Sequence, residues 1–296
     1  MDEIQKHRVP EGVHNTRLSN YGPAIFEGIS SRSALKRIIK RGEILVNGSV
    51  ATTGILINSG MEISWVQPDR KPAMPFEFPV EVLYEDDFLA VVIKPAGLVV
   101  SGNRFDTLEN AVNGILQPSG DPDALHQFRA VHRLDKDTSG LLLVAKTSKT
   151  RLKLGDMLEQ REIEKIYLAI VIGQTPEHGI IERPIGGKYA ETRFRRIDLR
   201  PSLISGWLSL LELEAITGRN HQLRIHLSSL GYPILGDKLY GDPNFLLRGK
   251  GLFLFARQLR FKHPPTGEKL EFIAPTPRKF TRFLEGEEGR YRKYTS

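Results

Sequence analysis

The 296-residue chain contains no cysteine. This excludes disulfides, thiolate nucleophiles and cysteine zinc sites, and it fits a reducing compartment, so a cytoplasmic location is expected. No apolar run approaches the roughly 20 residues that span a bilayer. The opening Met1-Asp2-Glu3-Ile4-Gln5-Lys6 lacks a basic region followed by an apolar core, so no signal peptide is read. Other absences concern chemistry. There is no Gly-x-Ser-x-Gly. Gly236 and Gly241 have the spacing of a phosphate loop, but Asp242 follows where lysine is needed. His221 and His226 are five apart with no glutamate after His221, which does not fit a zinc peptidase helix. No metal site is expected, and no internal repeat or low-complexity tract is visible.

Positive charge is in excess. Lys plus Arg number 42 against 35 Asp plus Glu, a net charge of +7. The pI is about 9.5. That balance suits a polyanionic partner. Residues 1–66 read as a small basic module. Ser30 or Ser31 can cap a helix running to about Arg41, with Leu35, Ile38 and Ile39 on its apolar face. Arg32, Lys36 and Lys40 recur every four residues on another face, with Arg37 and Arg41 beside them. Asn47-Gly48 between short apolar runs predicts a hairpin with a type I′ turn. Residues 67–79 carry prolines every few positions and predict an extended linker. Residues 80–282 form the larger domain. The charged end, 283–296, is expected to fray.

The stretch that organises the larger domain is His132-Arg133-Leu134-Asp135-Lys136-Asp137-Thr138-Ser139-Gly140, followed by Leu141 to Ala145. It reads as a turn-rich loop feeding a buried strand, so Asp135 sits at the root of a rigid element. An Arg-x-Asp alone is ordinarily a surface ion pair. Three other stretches matter. Lys94-Pro95-Ala96-Gly97-Leu98 follows an apolar strand and reads as a structural turn. Lys165-Ile166-Tyr167 opens a strand to Gly173. Gly218-Arg219-Asn220-His221-Gln222-Leu223-Arg224 leads a helix whose inward face would be Leu223, Leu227 and Leu230. A helix over 148–161 would bury Leu152, Leu154 and Leu158. Arg193 to Arg196 make a basic patch that touches RNA or caps a strand.

Together these motifs resemble the RluA-type pseudouridine synthases, over most of residues 80–280. The resemblance implies a mixed α/β (α+β) domain on a bent, largely antiparallel sheet. It implies that Asp135 is the nucleophile, that Arg224 pairs with it, and that Tyr167 packs on the target uracil and is a candidate for removing its carbon-5 proton. It implies that Arg133 fills the gap left by a flipped base. The basic module resembles the S-four RNA-binding domain, and Arg17-Leu18 resembles that domain's opening; Arg32, Lys36, Arg37, Lys40 and Arg41 would bind phosphates. The reaction implied is isomerisation of uridine in RNA, ribosomal RNA being favoured over transfer RNA. It requires no cofactor, and a monomer without membrane contact is expected. The alternative is a non-catalytic RNA-binding or ribosome-assembly factor on the same fold. A two-carboxylate glycosidase with Asp135 as nucleophile stays formally open, though nothing identifies its acid partner.

Overall fold

A computed structural model describes residues 3–26, 29, 32–67, 76–203, 205–245 and 249–295. The chain divides into two compact units, Met1–Ala73 and Met74–Ser296. The first contains β1 (Glu3–Arg8), β2 (Thr16–Arg17), α1 (Leu18–Tyr21), α2 (Arg32–Lys40), β3 (Ile44–Val46), β4 (Ser49–Val50), β5 (Leu56–Ile57) and β6 (Glu62–Gln67). Its main sheet runs β1-β6-β3-β4. Val46 pairs with Ser49 across the turn, and Asn47 and Gly48 take φ of +49° and +80°, as a type I′ turn requires. α2 buries Leu35 and Ile39 and leaves Arg32, Lys36, Arg37 and Lys40 exposed, with Arg41 exposed just beyond. The cap at Ser30 or Ser31 lies outside the described residues, as do residues 68–75 of the proline-rich stretch. Phe76 and Phe78 are not free linker: they stack at 5.5 Å and pack on the core of the second unit.

The second unit holds β7 (Glu81–Glu85), β8 (Leu89–Lys94), α3 (Leu108–Val112), β9 (Ala124–Ala130), β10 (Ser139–Thr147), α4 (Ser148–Glu159), β11 (Glu164–Ile172), β12 (His178–Glu182), β13 (Glu191–Ser202), β14 (Gly206–Ala215), α5 (Gln222–Ser229), β15 (Leu254–Lys262), β16 (Lys269–Ile273) and α6 (Arg278–Thr295). One mixed sheet runs β12-β13-β14-β11-β15-β10-β8-β7, with β16 beside β15 and β9 beside β10. Its neighbours are antiparallel except β10 and β15, where Ser139 and Gly140 lie parallel to Phe255 and Ala256.

The apolar runs of β8, β10 and β11 have both faces covered. Along β11, Tyr167, Ala169 and Val171 enter one core and Leu168, Ile170 and Ile172 the other, as the two-residue period of a strand demands. α3 and α5 pack on the first face, α4 and α6 on the second. Among the described residues no helix is long and apolar enough to cross a membrane.

Several expectations are corrected. The end of the chain is helical: α6 buries Phe280, Leu284 and Glu287, and the Glu287 carboxylate accepts from Ser202 Oγ at 2.7 Å. Leu152 and Leu230 are exposed; on α4 the buried positions are Thr150, Leu154 and Met157. Arg193 to Arg196 are no cap but the middle of β13, where Arg195 meets Glu212 at 2.8 Å and Arg193 meets Glu191 at 2.9 Å.

Gly140 is where the organising loop enters the sheet. It has φ +120°, and a Cβ there would come within 2.2 Å of the Ala256 carbonyl oxygen. Gly140→Ala must therefore part β10 from β15 as well as adopt a strained backbone. Loss of about 3 kcal/mol or more of unfolding free energy is expected in urea titrations, with activity falling in step.

Candidate active site

A cleft of about 710 Å³ is lined by residues 131–135, Arg161 beyond α4, Lys165 and Tyr167 of β11, and residues 215–224. Asp135 faces it with a side chain 16% exposed. The loop that carries Asp135 is pinned on both sides. His132 Nε2 accepts the Leu143 amide of β10 at 3.2 Å. Burial, aided by the nearby Lys165 charge, pushes the His132 pKa down to about 3, so the ring is neutral and its Nε2 is free to accept. Leu134 is buried in the core. The Thr138 amide donates to the Asp135 carbonyl at 3.1 Å, closing the turn.

Lys94 holds the loop from beneath. Its side chain is wholly buried, and its ammonium donates to the carbonyls of Pro95 (2.8 Å), Leu98 (2.7 Å) and Lys136 (3.1 Å). The Gly97 amide adds a second bond to the Lys136 carbonyl, at 2.8 Å. Burial draws the Lys94 pKa down to about 8, against the pull of Asp137 and Asp135. The Lys-Pro stretch thus shapes backbone, as expected, but through its lysine as well as its turn.

Arg224 meets Asp135 from α5. Nη1 lies 3.4 Å from Asp135 Oδ2. The tighter partner is Asp237, which accepts from Nε and Nη2 at 2.7 Å each. A planar guanidinium can do both at once, with one edge locked and one nitrogen left over. Asp237 also accepts the amides of Leu239 (2.9 Å) and Tyr240 (3.1 Å). Burial alone would raise the Asp237 pKa, but the bonds from Arg224 and the two amides outweigh it and leave the carboxyl below its ordinary range. Asp237 does not stand out in the sequence, where only the Gly236-Asp237 pair marks its position.

His221 does not stand out there either, except as an unsuitable metal ligand. It adopts φ +54° at the N-cap of α5. Its Nε2 lies 3.7 Å from Asp135 Oδ1, and its Nδ1 is 2.9 Å from the Tyr240 hydroxyl. The Tyr240 ring in turn lies beneath the Arg224 guanidinium, 5.2 Å from its centre. Asp135 is therefore approached by Arg224 at one oxygen and His221 at the other.

Tyr167 is buried on the floor of the cleft. Burial and then the Asp135 charge raise its pKa beyond the ordinary phenol range, so it is a neutral phenol. Arg133 is exposed and lines the same cleft. Asp135, Tyr167, Arg224 and Arg133 are thus brought together. Arg32, Lys36, Arg37, Lys40 and Arg41 belong to the other unit. Among the described residues no cluster of His, Asp or Glu could hold a metal ion.

Asp237→Asn should leave Arg224 buried without its bidentate partner, at a cost of about 3 kcal/mol in unfolding free energy. The sign with pH follows from the lowered pKa. The wild-type advantage should be constant above the unfolded carboxylate value, about pH 4, and vanish as pH falls through the lower folded value. Urea titrations of both proteins between pH 7 and pH 3 check this; a difference that persists unchanged into acid would contradict it.

Residues 88–229 match the RNA pseudouridylate synthase family. A Xylella fastidiosa protein named ribosomal large subunit pseudouridine synthase D is 34% identical over 308 residues, covering 93% of this chain and 90% of its own length. The Bacillus subtilis uncharacterized RNA pseudouridine synthase YlyB is 32% identical, with 86% and 89% covered. Among solved structures, human RNA pseudouridylate synthase domain containing 1 superposes with a TM-score of 0.56 at 26% identity, over 67% of this chain and 84% of that one. With its mixed sheet, its cleft carboxylate and these likenesses, the chain belongs to the RNA pseudouridine synthase family.

Proposed function

We propose that the chain isomerises uridine to pseudouridine in large-subunit ribosomal RNA, with Asp135 as nucleophile. The observation that carries this reading is the meeting of Asp135, Arg224 and Tyr167 in one cleft. The names of the relatives support the choice of RNA.

In the reaction the bond from ribose carbon 1 to uracil nitrogen 1 breaks. The base turns, carbon 5 joins the ribose carbon, and the carbon-5 proton is lost while nitrogen 1 gains one. Product and substrate are isomers, so no redox partner or group donor enters the balance. Asp135 supplies the anion at the reacting nucleotide. Arg224, locked by Asp237, sets the direction of that carboxylate while binding it loosely enough to react. A stacked uridine cannot reach the cleft; it must be flipped out at a cost of roughly a few kcal/mol. Arg133 fills the space left in the RNA, and Tyr167 packs on the extruded base. A neutral phenol at Tyr167 serves as a stacking surface and as a short-range proton partner, not as a standing base.

The first unit adds RNA affinity in the manner of an S-four domain. Its exposed Arg32, Lys36, Arg37, Lys40 and Arg41 neutralise phosphates, which position the RNA without reading its sequence.

Tritium release from RNA labelled at uracil carbon 5 is the direct test, using total RNA from cells that lack the gene. Wild type should release tritium, and Asp135→Asn should fall to background while still binding RNA. Equal release by the two would remove Asp135 as nucleophile; none from wild type on any RNA would remove the enzyme reading. Tyr167→Phe should keep KM and lose about a hundredfold or more in kcat, as expected when a proton partner is removed and the ring kept. Replacing Lys36, Arg37 and Lys40 by serine should weaken RNA binding and flatten the salt dependence by about 0.7 log units for each phosphate no longer neutralised. An unchanged slope in binding titrations from about 50 to 300 mM salt would exclude the first unit from RNA binding.

A further inference from the structure

Among the described residues, four lysines are buried or half-buried: Lys94, Lys146, Lys165 and Lys279. Three have acceptors inside the protein. Lys94 binds three carbonyls, Lys146 meets Glu85 at 2.7 Å, and Lys279 donates to the Leu252 carbonyl at 2.7 Å. Lys165 is the exception. It lines the cleft, and burial lowers its pKa with no carboxylate acting the other way. The imidazole it approaches, His132, is neutral and already accepts the Leu143 amide. A half-buried ammonium keeps only part of its water, so an anion that reaches it displaces little solvent and gains a charge-assisted contact. No acceptor for Lys165 lies among the described residues, and the cleft it lines is where an incoming anion would meet it.

The placement says which part of the ligand that is. Lys165 precedes Tyr167 by two residues on β11 and projects from the same face, the one that carries Ala169 and Val171 into the core behind the cleft. The two positions are about 7 Å apart along the strand. A base packed on Tyr167, with its glycosidic carbon turned to Asp135, leaves its own backbone to pass over the earlier end of the strand. Resting on the RNA reading of this site, we propose that Lys165 binds a phosphodiester flanking the extruded uridine and holds that nucleotide in the cleft. It is a binding residue, distinct from the groups at the reacting atoms.

The test uses the full-length protein and a short RNA stem-loop carrying the uridine that the wild type modifies. The stem-loop is made unaltered and with one neutral methylphosphonate on either side of that uridine. Lys165→Met should weaken binding of the unaltered RNA about tenfold, the worth of one charge-assisted contact. Its kcat at saturation should change less than about threefold, and Lys165→Arg should restore binding. One of the two methylphosphonates should weaken wild type by the same factor and leave Lys165→Met unaffected. The melting temperature of Lys165→Met should equal or exceed that of wild type, because a half-buried charge with no acceptor among the described residues has been replaced by an apolar chain of similar length.

A fall in kcat with unchanged binding would overturn the proposal and move Lys165 to the reacting atoms. Methylphosphonates that weaken both proteins equally, or a lowered melting temperature, would also overturn it. Tritium release by wild type separates the two levels. Without release the functional reading fails; with release, and with Lys165→Met indistinguishable from wild type, the phosphate assignment alone fails.

Discussion

The site depends on how Arg224 is shared between two carboxylates. Asp237 takes the Nε and Nη2 edge at 2.7 Å, and Nη1 is left 3.4 Å from Asp135. The inequality matters. The short bidentate pair is nearly sealed from water, with side chains 6% and 1% exposed, and fixes the guanidinium plane. The longer contact orients the carboxylate that faces the cleft without saturating it. A lysine could contact both carboxylates but could not be fixed in a plane by one of them, because its ammonium has no bidentate edge. Reversing the two distances would give a rigid Asp135 and an unanchored arginine.

The same division between anchoring and acting runs through the loop beneath. His132, Leu134, Lys94 and Gly97 hold the backbone from 132 to 138, while Asp135 and Arg133 are left to face the cleft. Gly140 then allows β10 and β15 to run parallel and touch at their start, so the loop ends on the centre of the sheet. What reads in the sequence as one nine-residue motif is in the structure a set of separate tethers around one free side chain. Each tether removes a motion from the backbone that carries Asp135, so the carboxylate is held in place at the cleft.

Much of this is legible in the residues, and the reasons differ for what is not. The apolar runs of β8, β10 and β11 are visible as strands, and Asp135, Tyr167 and Arg224 can be named by the resemblance of their motifs to the synthase family. Asp237 cannot, because its role comes from a pairing across 13 residues with a turn between. His221 is masked by its neighbours: a histidine before a helix suggests a cap or a metal, and its approach to Asp135 spans the fold. β9 and β12 escape the pattern since they are largely half-buried or exposed, with Ile180 facing solvent. α6 hides behind its charge. Its buried positions, Phe280, Leu284 and Glu287, have helical spacing, but one is a glutamate, made tolerable inside by Ser202 across the fold and by Arg290 one turn on.

Charge accounting connects these observations. Burying an ammonium or guanidinium costs several kcal/mol after relaxation unless acceptors replace the lost water. This fold supplies them to four such cations: carbonyls for Lys94 and Lys279, a carboxylate for Lys146, two carboxylates for Arg224. Arg133 is left to water on the same cleft, and Lys165 is half-buried there without an acceptor among the described residues. Lys94, Lys146, Lys279 and Arg224 are therefore satisfied within the protein, while Arg133 and Lys165 face the cleft without an acceptor among the described residues. An anion entering that cleft would meet charge already in place at Arg133 and Lys165, with little reorganisation of the protein left to make.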